Sequence, residues 1–225
     1  KKLFTLLLLV FSGLVLRAQD ISVIAIQAPV SGCALTATEN VTIRIFNYGP
    51  TLLSGSSFTV IYTINGGPPV NELLTLGSNL LTNSTLTYTF TTQANLAVPG
   101  IYTFDATCSL VGDVNPSNDA FNGYVVTNTA PSVGGTVAGP SSVCLSGNSG
   151  NLTLSGHTGN VLRWEYSTDG GFTWINISNT STTQSYNNLT VPTQYRAVVQ
   201  SGGCATAFSS VLSILIDNPS KIYKF

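Results

Sequence analysis

Across residues 20–217, apolar side chains recur at alternate positions in short runs, and each run stops at a cluster of Gly, Asn, Pro or Ser. Val41, Ile43 and Ile45 alternate with Thr42 and Arg44, and Leu86, Tyr88 and Phe90 alternate with threonines. Tyr102, Phe104, Ala106 and Cys108 share one face of their run. A period of two sends one face to a core and the other to water, which marks a half-buried strand. Residues 58–64 lead into Asn65-Gly66, a pair suited to the positive φ angles of a hairpin turn. Residues 121–126, 152–154, 161–167, 172–177, 195–199 and 211–216 continue the pattern. No helical periodicity of useful length follows the first 18 residues. The expected fold is all-β, built as two tandem antiparallel β-sandwiches, with Trp164 as the large core residue of the second.

About 200 residues suit two domains of about 100 each. The polar, Pro-containing stretch Thr127-Asn128-Thr129-Ala130-Pro131-Ser132 marks the joint. An internal echo supports the division: Leu96-Ala97-Val98-Pro99-Gly100-Ile101-Tyr102 and Leu189-Thr190-Val191-Pro192-Thr193-Gln194-Tyr195 share the pattern Leu-x-Val-Pro-x-x-Tyr. The expected order is a first module over 20–127, a linker over 128–133, a second module over 134–217 and a tail over 218–225.

Lys1 and Lys2 precede an apolar stretch over residues 3–16, followed by Arg17 and Ala18. This has the parts of a secretory signal peptide over 1–18, and it is short for a membrane span. A secreted, extracellular and cell-surface location follows as the expectation, with no membrane insertion once the leader is removed. In an oxidising compartment the four cysteines read as two disulfides, with three possible connectivities. The module division favours Cys33–Cys108 and Cys144–Cys204, each closing one module.

Without residues 1–18, five basic residues stand against nine acids, a net charge of −4. A chain with no basic patch cannot neutralise phosphates, so nucleic acid is excluded as a partner. Motifs with chemical potential read as structure. Ser167-Thr168-Asp169-Gly170-Gly171-Phe172-Thr173-Trp174 fits the Asp-box pattern, whose carboxylate caps a turn. Asp113, Asn115, Ser117 and Asp119 alternate oxygen ligands as a calcium loop would, but Asn118 and Tyr124 stand where an EF-hand needs Gly and Glu. His157 lies in a turn without a second His for zinc, and neither Ser146-Gly147 nor Ser149-Gly150 is a nucleophile elbow. Glu39, Glu72 and Glu165 fall in unrelated places. Asn40, Asn83, Asn151, Asn176, Asn179 and Asn188 form sequons that reflect Asn/Thr richness. Tyr48, Tyr62 and Trp174 are candidates for a sugar-stacking strip, although alternation places most aromatics half in the core. No catalytic, metal or cofactor-binding residue is assigned, and no cofactor is expected.

The run Asn40-Val41-Thr42-Ile43-Arg44-Ile45-Phe46-Asn47-Tyr48-Gly49, together with Gly112-Asp113-Val114-Asn115-Pro116-Ser117-Asn118-Asp119, resembles Ig-like adhesion modules of the CARDB type in bacterial surface proteins. Cys144, Trp164, Trp174, Tyr195-Arg196-Ala197 and Gly203-Cys204 resemble a second Ig-like module of exported proteins from gliding, type IX-secreting bacteria. The resemblance implies two Ig-like or fibronectin-III-like sandwiches and a non-catalytic surface role as spacer or contact. A carbohydrate-binding accessory module of a secreted hydrolase is the alternative, and surface glycans or extracellular proteins are the expected partners. Two departures stand out. The gaps from Tyr102 to Cys108 and from Tyr195 to Cys204 exceed the two residues of antibody domains, which argues against a central inter-sheet pin. The abrupt end after Asp217 leaves no room for a sorting domain, so the chain reads as part of a longer one.

Overall fold

The computed structural model describes residues 18–217; residues 1–17, on which nearly all of the expected signal peptide over 1–18 falls, and the expected tail over 218–225 lie outside the described residues. Among the described residues there is no helix. The strands are β1 (Ile21–Ala28), β2 (Gly32–Cys33), β3 (Thr42–Asn47), β4 (Ser57–Ile64), β5 (Val70–Thr75), β6 (Ser84–Thr89), β7 (Gly100–Ser109) and β8 (Ala120–Thr129). They continue with β9 (Thr136–Ala138), β10 (Ser142–Cys144), β11 (Ser149–Ser155), β12 (Asn160–Ser167), β13 (Ile175–Ile177), β14 (Thr183–Asn187), β15 (Thr193–Gln200), β16 (Ala207–Phe208) and β17 (Leu212–Asp217). The expected all-β sandwich fold is what the chain adopts. Its contacts divide it into two compact units. Among the described residues, the first gathers the segment ending at Pro29 with Asn40–Gln93 and Thr103–Tyr124, and the second gathers Val30–Glu39, Ala94–Tyr102 and the residues from Val125 to Asp217.

In the first unit, β3 lies between β1 and β6 in an antiparallel three-stranded sheet. A five-stranded sheet runs β2-β8-β7-β4-β5, with β2 parallel to β8; β4, β5, most of β7 and the first half of β8 fall in this unit, and β2 does not. Ile43, Ile45, Val60 and Phe104 are fully buried, as their alternation requires. Burying each such side chain contributes roughly 1.5–3 kcal/mol before entropy is counted. Ile21, Val23 and Ile26 are all buried although Ile26 breaks the period of two. Register shifts at Val23/Ala25 and Ile26/Ala28 supply the extra residue that turns Ile26 inward. The Tyr62 ring meets Phe90 edge-on at 4.8 Å, and its hydroxyl donates to the Thr92 carbonyl at 3.0 Å. The β4–β5 turn places Asn65 and Gly66 at φ 52° and 66°, the hairpin geometry their sequence anticipates.

In the second unit, β14-β11-β9 forms one sheet and β10-β17-β15-β12-β13 the other, with β16 beside β15. Trp164 is fully buried among Leu152, Tyr195, Val199 and Ile214, and its indole N–H donates to the Ser181 carbonyl at 2.9 Å. A register shift between Val161 and Arg163 brings Val161 and Trp164, three residues apart, to the same core. Gly134 is required by close approach, since a Cβ there would lie 1.9 Å from the Phe208 carbonyl oxygen.

The cysteine pairing corrects the expectation. Cys33 is bonded to Cys204, with Cα atoms 5.6 Å apart, while Cys108 is buried and free and Cys144 is exposed and free. Strand direction is the reason. Cys144 lies opposite Asp217, the last residue of β17, whereas Cys204 lies in the β15–β16 turn. The length of β15 separates those two ends, about 25 Å at a strand's rise. Likewise Cys33 lies opposite Thr129, the last residue of β8, and the Cys108 amide bonds Asp119 beside the first. Neither expected pair shares an end of its sheet.

Candidate functional site

The Asp169 turn joins β12 to β13. The Asp169 carboxylate accepts the Ser167 hydroxyl at 2.7 Å and the Thr173 amide at 2.9 and 3.0 Å. Hydrogen bonds from the Thr173 side chain, the Thr173 amide and Ser167 hold its carboxyl well below the usual range. Gly170 and Gly171 take φ 76° and 93°, and the Trp174 indole closes the turn on the Gly171 carbonyl at 3.0 Å. The motif is a structural cap, and its oxygens are already engaged.

Beside it, the Arg196 guanidinium lies 4.0 Å from the Trp174 ring centroid and 4.0 Å from that of Phe208. Glu165 on β12 is 3 % exposed and receives Arg196 and Arg163, each at 2.7 Å. This stack covers a buried carboxylate with two cations and two rings, an arrangement that fixes β12, β15 and β16 in register. It contains three of the chain's scarce charges, and all three are used on one another.

The second unit also carries an open groove of about 320 Å³. Tyr166, Tyr186 and Tyr195 supply its aromatic wall, and Gln184, Asn187 and Asn188 line it with polar groups. The Tyr166 and Tyr195 rings are 6.4 Å apart. Burial, then Tyr166 and Tyr186, push the Tyr195 hydroxyl above its ordinary value, so it stays a neutral donor. Rings beside amides can take a small polar ring such as a sugar, and they hold no pair suited to general acid–base work. Sequence reasoning did not find this groove, because its residues come from β12, β14, β15 and the intervening loop and meet only through register.

The remaining candidates disperse. Tyr62 is in the first core, Tyr48 is 51 % exposed, and Trp174 belongs to the arginine stack of the second unit. Glu72 accepts the Tyr88 hydroxyl at 2.6 Å, the Thr91 amide and hydroxyl at 3.0 and 2.7 Å, and the Thr92 amide at 2.8 Å. Burial alone would raise its pKa; the hydrogen bonds outweigh that and take it to about 2. Glu39 caps the Thr36 amide at 2.7 Å. In the β7–β8 turn, Asp113 accepts the Ile21 amide at 2.9 Å and the Asn115 amide at 2.8 Å, and Asn115 accepts the Ser117 hydroxyl at 2.6 Å. Those oxygens build the turn instead of converging on a cation. Among the described residues, no three His, Cys, Asp or Glu are grouped to hold a metal ion. Asp119 differs: it is 8 % exposed, its Oδ1 has no hydrogen-bond partner, and burial with the charges of Asp113 and Asp20 raises its pKa to about 6. His157 sits between β11 and β12 with Nδ1 buried and unpartnered. Burial, then Asp119 and Asp113, push the Cys108 thiol up to about 12, which leaves it unreactive.

A family model described as "Domain of unknown function (DUF8696)" matches residues 133–218. No curated protein matches the chain. Among solved structures, it is similar to the fibronectin(III)-like modules of Clostridium thermocellum CbhA, with 15% identity, 89% of this chain and 97% of that chain covered, and a TM-score of 0.33. A two-domain fibronectin type III segment of chicken tenascin is 13% identical, with 88% and 97% covered and a TM-score of 0.31. Domains A168-A170 from titin are 14% identical, with 89% and 67% covered and a TM-score of 0.39. These likenesses transfer no residue role. No helix of the described residues is long and apolar enough to cross a membrane.

Proposed function

We propose that this chain is a non-catalytic, secreted structural module, a spacer or surface contact within a larger exported protein at the cell surface. The observation that carries the reading is the Cys33–Cys204 bond, which closes a sequence separation of 171 residues. Such a bond persists in an oxidising compartment, and a pull on the chain ends passes through it and bypasses the residues it encloses. The engagement of Glu72, Glu165, Asp113 and Asp169 in turns and stacks supports a non-catalytic role. The resemblance to CARDB-type and exported Ig-like modules points the same way.

Single-molecule pulling tests this reading. Reduction should add about 600 Å of contour length over the oxidised chain, the extended reach of the enclosed residues. Equal extension in both states would show that the bond does not limit stretching and would remove the basis of the spacer role. The tyrosine groove favours a second reading, a carbohydrate-binding accessory module of a secreted hydrolase with surface glycans as partners. Saturable binding on a broad glycan array, abolished by Tyr166→Ala, would establish that reading in place of the first.

A further inference from the structure

Register lays out the outer face of the second unit's larger sheet in rows. Asn176, Glu165 and Arg196 lie side by side on β13, β12 and β15. Arg163, Val198 and Phe208 form the next row, on β12, β15 and β16. Tyr195 and Arg196 are successive residues of β15, so they point to opposite faces. The tyrosine groove therefore belongs to the core side of this sheet, and the arginine stack to its outer side.

Mutual pairing leaves an excess on that outer face. Two guanidiniums meet one carboxylate, so one positive charge is unbalanced in a chain whose acids otherwise outnumber its bases. Arg163 meets Glu165 through Nε at 2.8 Å and Nη2 at 2.7 Å. Arg196 donates to Glu165 through Nε alone, and its two terminal nitrogens donate to nothing among the described residues. The Trp174 and Phe208 rings and the Glu165 carboxylate close off the rest of that guanidinium. Its outer end stays open, on a side chain that is 21 % exposed, beside a Phe208 ring that is 51 % exposed. A guanidinium held this way presents two N–H groups in a fixed plane, the fork that a carboxylate accepts. Fixing the fork in advance lowers the entropy cost of binding.

We propose that the open end of Arg196 binds a carboxylated sugar, a uronic acid residue of an acidic polysaccharide. The excess charge of Arg163, Glu165 and Arg196 attracts it, and Phe208 gives its ring an apolar shelf. A uronic acid carries its carboxylate one bond from a ring whose C–H face is apolar, and a guanidinium fork beside an exposed aromatic ring matches both parts. A neutral sugar leaves the excess charge unmatched. Peptides bind sheets chiefly by adding a strand at an open edge. β15 lies between β12 and β17, so no open edge adjoins Arg196, and an acidic peptide gains only a side-chain contact there. The site deepens the surface-contact reading and rests on it for its setting, but neither the disulfide nor the tyrosine groove takes part.

The test is titration of the full chain with an oligogalacturonate at low salt, beside a neutral gluco-oligosaccharide of the same length. The uronate should bind saturably and more weakly as salt is raised, and the neutral oligomer should bind about tenfold more weakly or not at all. Arg196→Lys keeps the charge and removes the fork, so it should weaken the uronate by about tenfold. Arg163→Gln cancels the excess charge and should flatten the salt dependence. Amide spectra of β12 and β15 report whether each variant keeps its sheet. The unmodified chain gives a reading that needs no variant: the Arg196 Nε–H and Trp174 indole signals should shift on saturation. No saturable binding, equal binding of the neutral oligomer, or full affinity in folded Arg196→Lys would overturn the proposal. So would equal binding of a sulfated oligosaccharide or an oligo-aspartate, since any anion would then suffice. Loss of binding in Tyr166→Ala, with Arg196→Lys unaffected, would place the sugar in the groove and overturn the outer-face site. None of these outcomes alters the pulling result, so the spacer reading stands or falls separately.

Discussion

The two compact units share a sandwich plan but dispose of polarity in opposite ways. The second unit packs around Trp164, carries the disulfide, and surrounds Asp169 and Glu165 with donors and cations. The first packs around Tyr62, Phe90 and Phe104, keeps Cys108 as a buried thiol, and leaves one Asp119 oxygen without a partner. In that unit only Glu72 matches the saturation seen in the second. The contrast teaches that donors within reach, more than the number of acids, decide whether a carboxylate supports a sheet. The β7–β8 turn and the Asp169 turn are similarly polar, yet one raises a carboxyl pKa and the other lowers it.

Trp164→Ala should break the second unit first, with a loss of about 3–5 kcal/mol from the transfer and cavity terms together. Urea unfolding followed by exchange of β15 amides would show it, while β3 and β4 amides of the first unit should keep their protection. Equal loss in both units would mean that they do not unfold separately. Next comes the joint substitution Cys33→Ser with Cys204→Ser, expected to cost about 2–5 kcal/mol because a long unfolded loop is no longer closed. Its melting temperature should match that of the reduced wild-type chain, whereas Cys108→Ser should leave the effect of reductant unchanged.

The strands were legible because alternation is a local record of burial, as Val41, Ile43 and Ile45 show. The Asp169 turn was legible for the same reason, since all its donors lie within four residues. What was not legible depended on register between distant strands. Ile26 reaches its core through a bulge that an alternation count misplaces, whereas Trp164 was expected in the second core and lies there. The pairing of Cys33 depended on β2, two residues long and too short to leave a period. The Arg196 stack and the tyrosine groove each assemble side chains that sequence order keeps apart.

Within the first unit, Glu72→Gln should cost about 1–3 kcal/mol, because an amide nitrogen would face N–H and O–H donors that now meet a carboxylate. The wild-type contribution is complete above the ordinary pKa of 4.5 and is lost as pH falls toward about 2. Loss of β4–β5 amide protection in E72Q at pH 7, with the second unit unchanged, is the expected reading. Unaltered protection would show that the four hydrogen bonds contribute nothing net.

Asp119 should give the smallest effect and the opposite sign. Its folded pKa of about 6 stands above the ordinary 3.8, so the native chain takes up this proton more readily than the unfolded one. Ionised Asp119 therefore weakens the first unit fully above pH 6, and the penalty fades as pH falls from 6 to about 4. Asp119→Asn should stabilise the chain at pH 8 by on the order of 1 kcal/mol, since a one-unit shift corresponds to about 1.4 kcal/mol. The same variant should flatten the rise in stability that the wild type shows between pH 8 and 4, read as urea midpoints from first-unit amides. A variant that is less stable at pH 8, or one that keeps the wild-type slope, would mean that the Asp119 carboxylate finds the donors that the Asp169 turn enjoys, and the contrast between the two turns would dissolve.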